Sequence, residues 1–390
     1  MDVAIVGGGL EGLSVAWALS RRGVSDVAVY ERDVVGSGFT AKSSGIIRCH
    51  YGVASLAAMA WHSLAVLEAA EETLDADIGF HRCGYLVAVG EANVAPLEAN
   101  VALHQRLGID VEVTDVAGAR ELFPQMFTGD CAGFAYEPRA GYADGYQTAQ
   151  AYAKAARRGG CRIAQASPVA AVEAPHGRVV GLALASGERV AADVVVVAAG
   201  PWSPRLLAPL GVDLPVRTQR EQVMIVDPGE PLGPVPIVSD LVLLQYLRSE
   251  RQQLLLGNSD HRVPEWVDPD RYDNSLDDDH LTTAVEKFAR RFPGLGGAAL
   301  ASSYAGCYDV TPDYNPVIGP APIEGLFLCA GFSGHGYKIS PSVGELLADL
   351  ICDGESHVPG VNASDFRFGR FAEGALLRSA HPYAGAGEMR

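Results

Sequence analysis

The chain has 390 residues, 48% apolar and 20% charged, with 30 Lys and Arg against 47 Asp and Glu. That length allows two or three domains around a large buried core. The formal net charge of -17 argues against nucleic acid or an anionic membrane surface as a partner, and any cation that holds an anionic substrate must be placed locally.

Met1-Asp2 runs straight into Val3-Ala4-Ile5-Val6, with no basic segment leading into a longer apolar one, so no signal peptide is expected. Seven cysteines, at 49, 83, 131, 161, 307, 329 and 352, show neither zinc-knuckle nor redox-pair spacing. A cytoplasmic protein with reduced thiols is the expectation. No apolar run approaches the length of a membrane span.

Residues 2–6 read as a short buried strand of a parallel sheet. Gly7-Gly8-Gly9-Leu10-Glu11-Gly12 follows. Residues 13–22 then read as a helix, with Leu13, Ala16, Trp17 and Ser20 on one face and Gly23 as its stop. A second strand, 27–30, ends at Glu31. This register of strand, glycines, helix, strand and acid is a dinucleotide site. Gly7 makes the tight turn, Gly9 admits the pyrophosphate and Gly12 lets the helix pack on the strand. Leu10 and Glu11 complete the loop, and the helix N-terminus offers N–H groups to the phosphates. Glu31 accepts hydrogen bonds from the ribose hydroxyls and disfavours a 2′-phosphate, which argues against NADP.

FAD rather than NAD is expected from Arg32-Asp33 and from the stretch between Gly36-Ser37-Gly38 and Ser43-Ser44-Gly45. Such a segment carries backbone and hydroxyl donors toward a diphosphate and a flavin. A β-rich region begins at Val169 and ends in Val194-Val195-Val196-Val197-Ala198-Ala199-Gly200. It reads either as a strand delivering Ala199 and Gly200 to the ligand or as an ordinary core strand. The runs Val223–Val226, Leu241–Leu244 and Leu254–Leu256 read as further short strands. Residues 279–292 read as an amphipathic helix, and about 341–351 as another. The Gly- and Ala-rich tail beyond Val361 is expected at the surface.

With these residues in view, the chain resembles the D-amino-acid oxidase structural family and, within it, the sarcosine oxidase branch. The resemblance rests on Gly331-Phe332-Ser333-Gly334-His335-Gly336-Tyr337-Lys338-Ile339-Ser340, on Ser44-Gly45-Ile46-Ile47-Arg48, on Ala198-Ala199-Gly200-Pro201-Trp202-Ser203 and on Tyr308-Asp309-Val310-Thr311-Pro312-Asp313. It spans Met1 to about residue 355. It implies an α/β fold in which a Rossmann-like FAD-binding domain (1–80, 146–215 and 315–375) is interleaved with an α+β substrate domain (81–145 and 216–314). The substrate domain is built on a mostly antiparallel sheet, and residues 376–390 form a tail.

The same resemblance implies site residues. Arg48 and Lys338 hold a substrate carboxylate, the guanidinium bidentately and the ammonium as a point charge; a structural ion pair is the alternative for Arg48. Tyr246 and Arg248 match an aromatic-x-Arg element that lines substrate sites, with a solvent-exposed cross-strand pair as the alternative for Arg248. His50 and Tyr51 line the pocket or sit in core or rim. His335 packs on the cofactor or is a plain loop residue. Gly331, Ser333, Gly334, Gly336 and Tyr337 bring N–H groups and a helix N-terminus to the flavin O2 edge, and Trp202 and Gly306 complete the cofactor set.

Three departures from the branch matter. Leu255 stands where monomeric sarcosine oxidases have a lysine that promotes reaction with oxygen. Gly306 stands where they carry the cysteine that attaches FAD, with Cys307 one residue off. Ser43 stands where the dimethylglycine dehydrogenase type has its attaching histidine. Non-covalent FAD is therefore expected, with O2 or another acceptor taking the electrons. The resemblance implies oxidation of a secondary or tertiary amine, such as an N-alkyl or cyclic amino acid of the sarcosine, dimethylglycine or proline kind, by hydride transfer to flavin N5. Oxidation of a 2-hydroxy acid with His50 as base is an alternative. Another is a flavin-bearing electron-transfer subunit of a larger complex, and a homo-oligomer is also compatible. The sequence has no H-E-x-x-H and no G-x-S-x-G, so neither a metal nor a nucleophile is expected.

Overall fold

The computed structural model describes residues 1–385. Its first sheet is assembled from the valine-rich segments. Val3–Val6 lies between Val27–Tyr30 and Val194–Val197, parallel to both. The full order is Val317–Pro320, Leu326–Ala330, Val194–Val197, Val3–Val6, Val27–Tyr30, Arg162–Ala164, and Val317–Pro320 alone runs antiparallel to its neighbour. Central strands covered on both faces have no polar side to present, which is why two of them read as unbroken apolar runs.

The first helix spans Leu10–Arg21, starting at Leu10 rather than at 13, because Gly9 already serves as its N-cap. It packs on the helices Gly145–Arg158 and Gly336–Cys352. The second of these contacts is close: a Cβ on Gly344 would sit 2.3 Å from Ser14 Oγ. Gly336–Cys352 was expected to begin near 341 but carries Pro341 inside it. A proline there removes the N–H that would bond to the Tyr337 carbonyl. The Ser340 hydroxyl donates to that carbonyl instead, at 3.0 Å, so the helix runs on unbroken.

The second sheet has eight strands, in the order Ala299–Val310, Arg217–Asp227, Gln253–Asn258, Gln245–Glu250, Ile237–Asp240, Tyr85–Val89, Gly133–Glu137, Glu112–Thr114. It is mostly antiparallel, and only Ile237–Asp240 pairs in parallel, with Tyr85–Val89. Strand alternation gives it two distinct faces. Met224, Val226, Leu254 and Leu256 cluster with Phe288 and Phe292 beneath the amphipathic helix Asp278–Arg291. Glu221, Val223 and Tyr246 turn the other way and roof the cavity described below. Leu255, between two helix-facing leucines, lies on that roof face.

Two expectations need correction. Leu241–Leu244 is a turn, not a strand. The buried Asp240 accepts the Val242 and Leu243 N–H groups at 3.0 Å each and is held by Arg291 Nε at 2.8 Å. That carboxylate bends the chain, and Leu241 and Leu244 still reach the core. The tail is likewise not confined to the surface: Phe366, Arg370 and Tyr383 are buried. Arg370 pairs with Asp313 at 2.8 Å, both side chains being 1% exposed; a carboxylate so far from water needs a cation brought to it. Asn93 and Asn100 fix the tail backbone at Ala384 and His381. No described helix is long and apolar enough to cross a membrane.

Candidate functional site

A single long cavity of about 650 Å³ runs from the glycine loop to the roof sheet, within the range of cofactor pockets, about 300–1,000 Å³. At its dinucleotide end Gly7 has φ +111°, and a Cβ there would lie 2.3 Å from the Ala198 carbonyl oxygen. A Cβ on Gly12 would lie 2.1 Å from the Gly7 oxygen, so Gly12 works from behind the wall. Gly8, which the motif leaves open, is as constrained: its Cβ would meet Glu31 Cβ at 2.8 Å, and its N–H donates to Glu31 Oε2 at 2.7 Å. Gly9 has only the Thr40 hydroxyl nearby, at 3.4 Å, and Leu10 N–H donates to that hydroxyl.

Next to this loop, Arg32 lies over the Trp202 ring at 3.9 Å and Trp202 Nε1 donates to Asp270 at 2.8 Å. Phe39 stacks on the same ring at 5.3 Å. Ser37, Val169, Ala199 and Gly200 also line this stretch. Phe39 and Asp270 escaped sequence reading because neither belongs to a motif and Asp270 arrives from the other sheet's connections.

At the far end the loop 331–336 threads between Tyr308 and Glu11. Gly334 has φ +82°, with a Cβ 2.8 Å from the Tyr308 ring, and a Cβ on Gly336 would lie 2.7 Å from Glu11 Oε1. Gly331 N–H donates to Asp309 Oδ2 at 2.7 Å. Ser333 is buried outside the cavity, where its hydroxyl accepts Thr311 N–H at 3.3 Å and so holds the loop. His335 is also outside, edge-on to Tyr51 with ring centroids 5.1 Å apart. Tyr337 and Lys338 line the wall, and Lys338 Nζ donates to the Gly334 carbonyl at 3.3 Å.

The residues present fit a flavin dinucleotide. Gly7, Gly8, Gly334 and Gly336 line the channel where a Cβ would come within 3 Å of a neighbouring atom. Glu11, at the start of the first helix, has a buried Oε2 with no hydrogen-bond partner among the described residues. Burial, and then Asp309, hold its pKa well above the ordinary carboxylate value. Asp309 itself is pushed up to about 6 by burial. Glu11, which keeps its proton to higher pH than an ordinary carboxyl, thus sits where an anionic cofactor passes and in that form spares it a negative charge. Cys307 lines the cavity, but burial pushes its thiol up to about 12, so it remains a thiol.

Under the roof, Tyr246 and Tyr308 are hydrogen-bonded to each other and burial raises both phenol pKa values. Glu221, which sequence reading missed, joins them in the wall, as do Ser43, Ser44 and Gly306. Gly45 lies just behind, at φ +66°. Arg248 is buried rather than exposed and does not line the cavity. It ties the roof to the serine loop, donating to the Ser44 carbonyl at 2.6 Å, and pairs with Glu250 at 2.7 Å. Arg48 is set back from the wall. Its guanidinium lies over Tyr51 at 4.3 Å and near Tyr85 at 5.5 Å, and it donates to the His50 carbonyl. Tyr51 joins it to His335. His50 is buried away from the cavity, its Nε2 2.6 Å from the Tyr383 hydroxyl.

The FAD dependent oxidoreductase family matches this chain over residues 2–350. The chain belongs to that family.

FAD is its cofactor, and the interleaved sheets are the fold the family implies. Sarcosine oxidase subunit beta from an Arthrobacter species is 29% identical over 384 residues, covering 96% of this chain and 92% of that protein. Mouse mitochondrial dimethylglycine dehydrogenase is 25% identical over 95% of this chain, which corresponds to 44% of its own length. Among solved structures, L-proline dehydrogenase from P. horikoshii superposes with a TM-score of 0.87 at 24% identity, covering 96% of this chain and 99% of the other. Glycine oxidase from Geobacillus kaustophilus gives 0.81 at 26% identity, with 94% and 98% covered.

Proposed function

We propose that this FAD-dependent oxidoreductase oxidises a secondary or tertiary amine that carries a carboxylate, an N-alkyl or cyclic amino acid, to the imine. The flavin supplies the chemistry by accepting a hydride when bound; the chain binds, orients and dries the substrate. The observation that carries this reading is Lys338. It is one of only four lysines in a chain of net charge -17, and it is buried in the cavity wall at the first turn of a 17-residue helix. An ammonium withdrawn from water, with a positive helix end beside it, is suited to an anion. Arg48, set back behind the wall and desolvated among tyrosines, adds a second positive charge from behind it. Val223 and the Tyr246–Tyr308 pair close the roof against water, which strengthens each of these attractions. The relatives named above act, by their names, on sarcosine, dimethylglycine, proline and glycine; the first three carry a secondary or tertiary amine beside a carboxylate.

The test is anaerobic. The holoenzyme is mixed with sarcosine, dimethylglycine and proline, and with dimethylamine, trimethylamine and pyrrolidine, which lack the carboxylate. Bleaching of the flavin absorbance by the acids alone is expected. Equal bleaching by both sets removes the carboxylate clamp, and bleaching only by 2-hydroxy acids removes amine oxidation. Admitting air then separates an oxidase, which recovers quickly, from a dehydrogenase that needs another acceptor.

A further inference from the structure

Behind the candidate clamp lies a polar cluster that the function above does not use. Glu137, at the end of the strand Gly133–Glu137, is 3% exposed. Its Oε2 accepts the Cys49 N–H at 2.8 Å. Its Oε1 is 3.8 Å from His50 Nδ1 and has no hydrogen-bond partner among the described residues. His104, from the helix Val94–Arg106, bonds through Nε2 to the Tyr51 carbonyl at 2.8 Å, and its buried Nδ1 has no partner among the described residues. His50, His104 and Glu137 each offer an atom to one spot, all within 4.8 Å of one another. Glu137 is the carboxylate whose field acts on the Arg48 guanidinium.

The neighbours of Glu137 come from several elements. Arg48, Cys49 and His50 follow the strand Ile46–Ile47, and His104 faces it from its helix. Tyr85 and Tyr51 enclose the arginine, and Tyr383 of the tail caps His50. Arg139 lies further out and is spent on Glu68. Burial raises the Glu137 carboxyl to about 7, opposed by the Cys49 N–H and then by Arg48, the cation among these neighbours that favours its ionised form. His104 is held neutral, pushed down to about 4 mainly by burial, so it does not compensate a buried anion.

We propose that Glu137 is the counter-charge of Arg48 before substrate binds, and that it takes up a proton when a substrate carboxylate replaces it as that counter-charge. The inference rests on the carboxylate clamp above. The balance is simple: the substrate anion adds one negative charge beside Arg48, and a proton from solvent neutralises Glu137. Oε1 and the facing imidazole nitrogens are placed to share that proton. Glu137 is a positioning residue, since it acts through Arg48 and touches neither cofactor nor substrate.

Cyclopentanecarboxylate, which has the ring and carboxylate of a cyclic amino acid but no nitrogen to oxidise, is the probe. Its binding to the holoenzyme is measured by titration calorimetry at pH 8 in phosphate and in Tris, whose ionisation heats differ. Wild type should take up about one proton per probe bound, with affinity falling up to about tenfold per pH unit between 7 and 9. Glu137→Gln should bind the probe with no uptake and no slope over that range. His104→Asn should keep the uptake. A wild-type protein that takes up no proton overturns the proposal without any variant, and so does uptake that survives in Glu137→Gln. A stoichiometric divalent cation found in the holoenzyme and lost in that variant overturns it too. Failure of the probe to bind overturns the clamp itself, a separate result from binding without proton uptake.

Discussion

Replacing Lys338 by Met keeps the shape of the helix turn and removes the charge. Its ammonium donates to the Gly334 carbonyl, and the glycines of the dinucleotide end lie on the separate segment 7–12. The expected outcome is a kcat/KM for carboxylate substrates lower by about 10- to 100-fold, the worth of a hydrogen bond to a charged group. FAD content, read from the ratio of flavin to protein absorbance, should stay at the wild-type value. Loss of FAD, or unchanged kinetics across a carboxylate series, sinks the assignment. Gly7→Ala should do the reverse, since its Cβ meets a backbone oxygen at 2.3 Å that has no freedom to move; the protein should purify colourless. Glu11 is the third case. Its native pKa is raised by burial first and by Asp309 second, so the unfolded chain loses this proton at lower pH than the native one. Folding is then penalised as pH rises above the ordinary value of 4.5, and fully so above the raised native value. Glu11→Gln removes the penalty. Its melting temperature should match wild type near pH 4 and exceed it increasingly toward pH 8. A gain independent of pH would show that the proton is not held there.

Between residues and molecule, the helix Gly336–Cys352 shows how a local rule is bent. Ser340→Ala leaves the Tyr337 carbonyl opposite Pro341 without a donor, a cost of about 1–2 kcal/mol in unfolding free energy. In the Pro341→Ala background the restored N–H takes over, and Ser340→Ala should cost far less; additive costs in a denaturation cycle would refute the account. The sequence made this helix look five residues shorter at its start because proline is a breaker by default, and the substitute donor is visible only once Ser340 is seen next to Tyr337. By contrast, the strand Val3–Val6, the glycine loop and the strand Val27–Tyr30 were legible at once, since one short stretch of chain contains all their partners. Legibility failed where a partner is distant. Asp240, which turns Leu241–Leu244 away from a strand, is fixed by Arg291, 51 residues on. Arg248 looked like an exposed pair because its acceptor at Ser44 is 204 residues away.

The tail extends that argument to the whole molecule. Composition placed everything beyond Val361 at the surface, yet Arg370 enters the interior to meet Asp313 and Tyr383 reaches His50, 333 residues away. The chain therefore closes on itself at the segment that follows Arg48: His50 shares its main-chain oxygen with the arginine and its ring nitrogen with the tail. Tyr383→Ala removes a 4%-exposed ring together with that hydroxyl, a loss of about 3–5 kcal/mol for a buried aromatic. At roughly 2–4 °C per kcal/mol for a larger domain, melting should fall by about 6–20 °C. Tyr383→Phe should keep most of the melting temperature, because the ring stays, but should raise KM for carboxylate substrates more than it lowers kcat, because His50 and with it Arg48 lose their anchor. A surface tail would give neither effect. If Tyr383→Ala melts like wild type, the burial of the tail is not part of the stable fold. If both variants lose stability while KM is unmoved, the tail supports the molecule without reaching the clamp.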